Sequence, residues 1–328
     1  MKAIHCTAYG TPEVLQLKET DKPKPAEGEI LIRIAATSIT SGDCEMRTST
    51  MHPTMYLFFR LFLGLTKPRK PILGMYFSGT VEQLGSEVTR FSIGQDVFGT
   101  TGFTMGTNAE YVSVPAKNSI ISKPPSVSHL DAAATPIGAW NALHFMKLAK
   151  LQAAESILIF GAGGAIGTFA IQLAKMAGAT VTAVDSAAKL SMLTETGADH
   201  VIDYEKEDFT EAENQYDVIF DVVGKSPYAK SLRRLNPGGR YILANVGFTP
   251  MLRGFWTTKT SDKTVISAMA KETQKELEEI SKMLVNGVLH PVVDRTFTLE
   301  EIPDAHRYLD SGKRKGNIVA EIESSVVQ

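Results

Sequence analysis

Residues 155–175 have the sequence ESILIFGAGGAIGTFAIQLAK: a short apolar run, a glycine-rich turn and an amphipathic helical pattern in direct succession. The run SILIF ends at Phe160 and is typical of a strand buried on both faces of a parallel sheet. In the frame G-x-G-x-x-G the positions are Ala162, Gly164 and Gly167, so alanine replaces the first glycine. Gly164 lets backbone approach a pyrophosphate, and Gly167 lets the helix pack against the strand. This stretch predicts a dinucleotide-binding turn.

An acidic residue follows at the distance that a dinucleotide fold requires. Asp185 ends the next predicted strand, TVTAV, 18 residues after Gly167 (185 − 167), close to the expected spacing of about 20. Its carboxylate would bind the ribose hydroxyls of NAD and repel the 2′-phosphate of NADP. Ser186 and Lys189 follow at once and suit a phosphate, although an ordinary exposed helix lysine explains Lys189 equally well. The sequence therefore predicts NAD(P) and leaves the choice between NADH and NADPH open.

The rest of the chain shows two kinds of pattern. Residues 1–124 contain many short strand-like runs separated by turn residues, which is typical of a compact β-barrel. Residues 125–287 alternate strand and helix, as in a doubly wound α/β domain. Residues 288–328 return to β character, so we expect them to rejoin the first domain. The predicted fold class is α/β, with residues 1–124 and 288–328 as substrate domain and residues 125–287 as cofactor domain.

Composition excludes several functional classes. The formal net charge is −2 at pH 7, so the chain has no excess of positive charge to attract nucleic acid, and no nucleic-acid partner is expected. Cys6 and Cys44 are too few for a disulfide framework or a four-thiolate zinc site, which favours a reducing, cytoplasmic location. The N-terminus lacks the apolar core of a secretory signal.

One apolar segment, residues 55–65 (MYLFFRLFLGL), needs an explanation. It is too short for a membrane span, which takes about 20 apolar residues, so no span is predicted. The favoured interpretation is an amphipathic helix or loop packed on the protein. A flap over a substrate cleft comes second, and an interfacial membrane anchor third.

The whole chain resembles the medium-chain dehydrogenase/reductase superfamily, on its zinc-free, quinone-oxidoreductase-like branch. Besides the glycine-rich turn, the resemblance rests on collinear segments that include GMYFSGTVEQLGSEVTRFSIGQDVFG, DAAATPIGAWNALH, GADHVIDY, NPGGRY and DAHRYLDSGKRKGNIV. It implies a GroES-like β-barrel with an inserted doubly wound Rossmann domain, a nicotinamide cofactor, NADP(H) or NAD(H), and commonly a homodimer built through the Rossmann domains. Members that are closest to this pattern resemble reductases of quinones and α,β-unsaturated carbonyls.

The chain departs from the zinc-dependent members of that family. They place a cysteine three residues before the aspartate that matches Asp43, and Thr40 stands there in this chain. They also carry Gly-His-Glu where residues 74–76 are Gly-Met-Tyr, and the lobe with four zinc-binding cysteines is missing. A catalytic zinc needs about three protein ligands, which Cys44 alone cannot supply, so no zinc is expected.

The resemblance also suggests catalytic candidates. Thr40 and Asp43 match positions beside the nicotinamide. Thr40 is a candidate hydrogen-bond donor to a substrate carbonyl. Asp43 would act either in catalysis or as a structural acceptor for backbone N–H groups. Tyr56 and Tyr76 are candidate proton donors for enone reduction, although packing explains both as well.

Family matching places a further set of residues at the cofactor. They are Thr135 near the nicotinamide; Ala162, Gly164, Ala165, Ile166 and Gly167 at the pyrophosphate; Asp185, Ser186 and Lys189 at the adenosine ribose; Tyr204 beside a 2′-phosphate; Val246 and Gly247 at the carboxamide; and Asn317 from the C-terminal tail.

Three functions follow as hypotheses. The leading one is a zinc-independent NAD(P)H-dependent oxidoreductase, active on quinones, enones or related small carbonyls. The second is an alcohol dehydrogenase for a hydrophobic alcohol or aldehyde. The third is a cofactor-binding redox sensor with little turnover.

Overall fold

A computed structural model describes residues 1–49, 64, 65, 67–244 and 248–322 of the chain. Most of the apolar segment 55–65 lies outside the described residues. Within them the strands are β1 Lys2–Cys6, β2 Leu15–Glu19, β3 Glu29–Ile39, β4 Tyr76–Leu84, β5 Asp96–Thr100, β6 Tyr111–Pro115, β7 Ile120–Ser122, β8 Ser156–Phe160, β9 Thr180–Asp185, β10 His200–Asp203, β11 Tyr216–Asp221, β12 Leu235–Leu243, β13 Thr264–Ser267, β14 Val293–Thr298 and β15 Asn317–Glu321. The α-helices are α1 Ser41–Thr48, α2 His129–Ala149, α3 Ala165–Met176, α4 Leu190–Glu195, α5 Tyr228–Arg233, α6 Phe248–Thr260, α7 Gln274–Val285 and α8 Ile302–Asp310.

The chain divides into two compact units. Their residue ranges are, for unit 1, Met1–Pro136, Thr273–Val285 and Val293–Gln328, and for unit 2, Ile137–Glu272 and Asn286–Val292. The division falls inside α2, between Pro136 and Ile137, whereas composition changes near residue 125, before that helix begins. Helix α7 groups with unit 1. The domain limits at residues 125 and 287 stay a prediction.

Unit 1 is built on a mostly antiparallel sheet. The strand order is β14-β15-β3-β4-β5-β7, and β6 pairs with the first half of β3. The tail strand β15 pairs antiparallel with β3, which places the C-terminal residues in the same sheet as the N-terminal ones. Alternate residues of β3, such as Ile30, Ile32 and Ile34, are buried in one apolar core. Helix α8 adds Ile302 and Ala305 to that core.

Unit 2 is a six-stranded parallel sheet. Its order, β10-β9-β8-β11-β12-β13, reverses direction along the chain between β8 and β11. Ile157, Leu158 and Ile159 of β8 are all completely buried, because helices cover both faces of a parallel sheet. In such folds ligands bind beyond the carboxyl ends of the strands, at the point where the order reverses. The carboxyl ends of β8 and β11 are therefore the place to look for a site.

Helix α2 begins with a reciprocal cap. Ser128 Oγ accepts a hydrogen bond from the Asp131 N–H (3.0 Å) and donates one to Asp131 Oδ2 (2.7 Å). No helix in the described part of the chain is long and apolar enough to cross a bilayer.

Candidate functional site

The glycine-rich turn lies where β8 ends and α3 begins. Gly161 has φ 79°, a conformation that residues with a Cβ rarely adopt, and Gly164 is the extended N-cap of α3 (φ −94°, ψ 178°). Ala165 and Ile166 follow as the first helical residues, where backbone N–H groups have no intrahelical acceptor. Such a helix start, at the carboxyl end of the central strand, is where doubly wound folds bind a pyrophosphate.

Gly167 is the glycine that lets α3 approach β8. A Cβ added there would lie 2.4 Å from the carbonyl oxygen and 2.5 Å from the Cα of Ala162. These neighbours are backbone atoms, so they cannot move aside as a side chain would. Ala162 itself is completely buried below the turn. The space that holds the turn against the helix therefore depends on the missing side chain of Gly167.

Asp185 is attached to the glycine-rich turn. Its Oδ2 accepts a hydrogen bond from the Gly163 N–H (2.8 Å), and its Oδ1 accepts one from the Ser186 N–H (2.9 Å). Lys189 Nζ lies 3.0 Å from Oδ1. Because each carboxylate oxygen accepts about two hydrogen bonds, Oδ1 is fully used and Oδ2 keeps one position for a ligand hydroxyl. Asp185 thus has less acceptor capacity than a free ribose-binding acid.

Gly163 leaves room for this ion pair. A Cβ at Gly163 would lie 2.4 Å from Lys189 Cδ and 2.9 Å from Asp185 Oδ2. The lysine side chain therefore lies along the phosphate turn, and both charged side chains are nearly buried, at 12% and 10% exposure. The alternative of an ordinary exposed helix lysine does not describe Lys189. Gly163 was not singled out in the sequence, because its role depends on residues far along the chain.

Tyr204 follows β10 at the same edge of the sheet. Its side chain is 51% exposed, and its ring centroid lies 6.4 Å from that of Phe160, the last residue of β8. The backbone N–H of Tyr204 donates to the carbonyl of Asp185 (3.3 Å). The structure thus brings Tyr204, Asp185, Ser186 and Lys189 together around the turn.

Thr40 and Asp43 form a closed pair in unit 1. Thr40 is the N-cap of α1, and its Oγ1 accepts from the Asp43 N–H (3.3 Å). In return, Asp43 Oδ2 accepts from the Thr40 N–H (2.8 Å) and from Thr40 Oγ1 (2.7 Å), while Oδ1 accepts from the Gly74 N–H (3.1 Å). Asp43 is completely buried. Burial raises the pKa of Asp43, and the hydrogen bonds from Thr40 and Gly74 oppose that shift.

The tyrosine candidates are placed differently. Tyr76 is the first residue of β4 and is only 2% exposed. Its backbone carbonyl accepts a hydrogen bond from Thr37 Oγ1 (3.1 Å). Met75 packs against the core of unit 1. Tyr56 lies outside the described residues.

The remaining predicted cofactor residues are partly described. Thr135 is completely buried in α2, and its Oγ1 donates to the Asp131 carbonyl (2.7 Å). Asn317 begins β15 and is 1% exposed. Val246 and Gly247 lie outside the described residues.

Potential metal ligands in the described part of the chain are dispersed. Among the described residues no group of three His, Cys, Asp or Glu side chains could hold an ion. Cys44 and His306 are of residue types that can bind a metal, and Cys44 Sγ lies 3.3 Å from His306 Nδ1. Burial raises the pKa of Cys44 to about 12 and lowers the pKa of His306 to about 3.

A Ser-His-Asp arrangement elsewhere in unit 1 has a structural role. Ser78 Oγ lies 2.8 Å from His129 Nδ1, and His129 Nε2 lies 3.5 Å from Asp96 Oδ2. Ser78 is completely buried, and its hydroxyl also lies within donating distance of the Val97 carbonyl (3.2 Å). A nucleophile must reach a substrate, so this group links the start of α2 to β4 and β5 rather than catalysing hydrolysis.

Unit 1 also contains a mainly apolar cavity of about 280 Å³. Its lining comprises Tyr9, Met46, Pro68, Arg69, Lys70, Leu73, Phe103 and Met105. Met46 belongs to α1, and Leu73 precedes Gly74, which binds Asp43. The lining suits a small hydrophobic molecule with a polar group.

Asp221 is a functional candidate that sequence reasoning missed. It ends β11, next to β8, and is completely buried. Its carboxylate binds the loop that follows, and the Val223 side chain of that loop lies against Gly161. The available signal was an acid at the end of a predicted apolar strand, beside the strand that carries the phosphate turn.

Family models match both units. One described as alcohol dehydrogenase GroES-like domain matches residues 26–125, and one described as zinc-binding dehydrogenase matches residues 196–319. The second name refers to a metal for which the described residues offer no ligand group.

Curated relatives align over almost the whole chain. A 2-methylene-furan-3-one reductase of Solanum lycopersicum is 29% identical and aligns over 97% of this chain and 78% of its own length. An NADPH-dependent alkenal/one oxidoreductase of Arabidopsis thaliana is 28% identical, with 97% and 79% coverage. A quinone-oxidoreductase homolog of Spinacia oleracea is 28% identical, with 98% coverage of both chains.

Solved structures also match this chain, among them a quinone oxidoreductase. The quinone oxidoreductase from Coxiella burnetii superposes with a TM-score of 0.87 at 29% identity, over 98% of this chain and 99% of its own. The fold is therefore a GroES-like domain combined with a Rossmann domain. On the evidence of the paired family models, the full-length relatives and this structural match, the chain belongs to the quinone-oxidoreductase-like branch of the medium-chain dehydrogenase/reductase superfamily.

Proposed function

We propose that this protein is a zinc-independent, NAD(P)H-dependent oxidoreductase that reduces quinones, enones or related small carbonyl compounds by hydride transfer. The observation that carries the proposal is the turn after β8, where Gly161 and Gly167 leave no room for side chains and α3 begins with N–H groups that have no intrahelical acceptor. The names of the relatives, which specify furanone, alkenal and quinone reduction, support the substrate class.

The chain's own residues bind and orient the cofactor. The N–H groups at the start of α3 would hold the pyrophosphate, and Asp185 and Lys189 would meet the adenosine ribose. When bound, a reduced nicotinamide supplies the hydride. The fit of the turn to a dinucleotide rests on its backbone, since a Cβ at Gly167 would collide with Ala162.

Thr40 and Asp43 would act as a unit on the substrate oxygen. Because the Thr40 hydroxyl donates to Asp43 Oδ2, it has no proton to offer a substrate while Asp43 is ionised. A protonated Asp43 would donate to Thr40 Oγ1 instead, and the Thr40 proton would then be available to a carbonyl. Burial raises the pKa of Asp43, which is the direction that this exchange requires. Tyr76 and Tyr56 remain proposed as proton donors for enones.

We infer a preference for NADPH over NADH. Lys189 neutralises Asp185, and its ammonium has further N–H groups for a 2′-phosphate. Asp185 keeps one acceptor position, on Oδ2, for a ribose hydroxyl, so NADH would bind more weakly. The exposed ring of Tyr204 supports the same preference, since it would flank the phosphate.

The proposed assembly is a homodimer formed through unit 2. Helix α6 presents four apolar side chains that are 48% to 64% exposed and lie on one face: Met251, Leu252, Phe255 and Trp256. Beside it, β13 is the outermost strand of the sheet, but Thr258 Oγ1 accepts from the N–H of Val265 (2.9 Å) and closes part of that edge. We therefore assign the contact to the α6 face rather than to pairing of β13.

Sedimentation velocity tests the homodimer. Wild type should sediment as a dimer at micromolar concentration, and Trp256→Lys should shift it to monomer. Ile93→Lys, an equally exposed apolar site in unit 1, serves as control and should leave the dimer intact. A monomeric wild type would contradict this assembly.

With Cys6 and Cys44 both free thiols, we also infer a reducing, cytoplasmic location.

Cofactor binding and turnover test the function. The apo-protein is titrated with NADPH and with NADH by nicotinamide fluorescence, followed by assays with quinones, enones and hydrophobic alcohols, before and after chelation. We expect saturable binding that Gly164→Val abolishes, and quinone or enone reduction that survives chelation. Alcohol oxidation alone would favour the dehydrogenase, and tight binding without turnover would favour the redox sensor. Binding of neither cofactor would refute the proposal.

A further inference from the structure

One stretch of the sequence is both basic and apolar. Between Glu45 and Glu82 it contains no acidic residue, although Asp and Glu together make up 36 of the 328 residues of the chain. It includes the apolar segment 55–65, most of which lies outside the described residues. The same stretch contains five basic residues: Arg47, Arg60, Lys67, Arg69 and Lys70. This composition favours a ligand that is apolar and negatively charged.

The described part of this stretch contributes two cations to the cavity of unit 1. Arg69 and Lys70 line the cavity, and both side chains are exposed. No Asp or Glu is among the described residues that line it, so an anion there would meet attraction and no like charge. The mainly apolar interior of about 280 Å³ suits the hydrophobic part of the same molecule. Arg47, by contrast, is buried and paired with Asp310.

Lys70 is held at the edge of the cavity. Its Nζ donates a hydrogen bond to the carbonyl of Phe103 (3.0 Å), and both residues line the cavity. Because an ammonium has three N–H groups, two remain for a ligand. The planar N–H groups of the neighbouring Arg69 match the two oxygens of a carboxylate. The Phe103 side chain, 67% exposed, adds apolar surface beside these cations.

The cavity adjoins the Thr40–Asp43 pair along two segments. Met46 lines the cavity and follows Asp43 by three residues in α1, so the two side chains are neighbours on the helix surface. Leu73 lines it as well and precedes Gly74, whose N–H donates to Asp43 Oδ1 (3.1 Å). Both segments bring the cavity close to the pair that would meet the substrate oxygen.

We propose that the preferred substrates are apolar enones or quinones that also carry an anionic group, such as a carboxylate, which Arg69 and Lys70 bind at the edge of the cavity. The inference rests on the proposed function, since it concerns the substrate of the same reaction. The apolar lining binds the body of the molecule, and the two cations favour the charged member of a pair of otherwise equal substrates. Neither cation takes part in hydride transfer, so both affect KM rather than kcat.

Matched substrates test the proposal in turnover. One is a medium-chain aliphatic enone whose chain ends in a carboxylate, and the other is its methyl ester, which has the same reacting group without the charge. Wild type should reduce the acid with a kcat/KM about tenfold higher than that of the ester, with the difference in KM. Arg69→Gln and Lys70→Met should each lower this ratio about two- to fivefold, because contacts between exposed charges are weak. Higher ionic strength should lower it too. The double variant Arg69→Glu, Lys70→Glu should make the ester the better substrate.

Lys117→Met is the matched control. Lys117 is an exposed lysine of unit 1 that lies just beyond β6, and β6 pairs with β3 at Glu29. Strand β4, which begins just after Gly74, pairs with β3 at Ser38, nine residues further on (38 − 29). Lys117 is therefore at the other end of β3 from the cavity, and its variant should keep the wild-type ratio of acid to ester.

Binding without turnover separates this proposal from the proposed function. Octanoate and octanol have no enone to reduce, and each is titrated by calorimetry into wild type and the double variant. Wild type should bind octanoate more tightly than octanol, and the double variant should not. An acid-to-ester ratio near one in wild type, or a ratio that no substitution of Arg69 and Lys70 changes, would overturn the anion site while leaving enone reduction in place. Preference for octanoate without reduction of either enone would instead overturn the proposed function.

Discussion

Lys189→Met should change which cofactor the protein prefers. Lys189 Nζ lies 3.0 Å from Asp185 Oδ1, and its stem lies along Gly163, so methionine keeps the packing and removes only the charge. A hydrogen bond to a charged group contributes about 1.5–3 kcal/mol, so losing the contact with a 2′-phosphate predicts NADPH binding that is about 10- to 150-fold weaker. The uncompensated charge of Asp185 would add repulsion. NADH carries no 2′-phosphate, so its binding should hold or tighten.

The assay is fluorescence titration of apo-protein with both cofactors at fixed ionic strength, because the effect is electrostatic. Lys175→Met is the matched control: Lys175 pairs with Asp199 (2.8 Å) near the far end of α3, away from the turn. It should leave both dissociation constants unchanged. An unchanged ratio of the NADPH and NADH constants in Lys189→Met would refute the assignment of Lys189 to the phosphate.

Three further perturbations probe the fold and the candidate site. Gly167→Ala should lower the free energy of unfolding, measured in urea, by about 1–2 kcal/mol and should abolish cofactor binding. The new Cβ would collide with the Ala162 backbone, and this overpacking outweighs the gain in helix propensity. A variant more stable than wild type would contradict this reasoning. Burial and the nearby charge of Arg47 lower the pKa of His306 from 6.5 to about 3. Between pH 6.5 and pH 3, His306 is therefore protonated in the unfolded chain but neutral in the native state. Stability should therefore fall as the pH drops from 6.5 towards 3, by up to about 1.4 kcal/mol per pH unit from this group, and His306→Gln should flatten that slope in pH-resolved urea titrations. Thr40→Val should remove the cap of α1, which lowers the free energy of unfolding by about 1 kcal/mol, and should also abolish turnover. Thr40→Ser should keep both the cap and turnover. Equal turnover in the two variants would show that the Thr40–Asp43 pair takes no part in the reaction.

The features that the sequence predicted well are local. The strand, turn and helix of residues 155–175 follow one another directly, so the apolar run of β8 and the glycines after it indicate the motif without knowledge of other segments. Asp43 depends on near neighbours in the same way. The sequence left open a structural role for Asp43 as an acceptor for backbone N–H groups, and one of the N–H groups that it accepts belongs to Thr40, the N-cap of α1.

The roles of individual side chains depended on distant partners. Both Gly163 and Gly164 stand in the turn, but only the structure shows Gly163 beside Asp185 and Lys189, 22 and 26 residues further on (185 − 163 and 189 − 163). The sequence also treated Asp185 and Lys189 as competing indications for NADH and NADPH, whereas they form one ion pair.

By itself, the sequence determined the family, the alternation of strand and helix, and the position of the phosphate turn, because these depend on patterns within a strand or a helical turn. Tertiary structure alone decided which groups remain available for a ligand. Strand β9 lies on one side of β8 and β11 on the other, which brings Asp185 and Val223 to opposite sides of the same turn. Residues that are far apart in the chain meet only after the sheet has formed, and their mutual hydrogen bonds and contacts then determine what each can still bind.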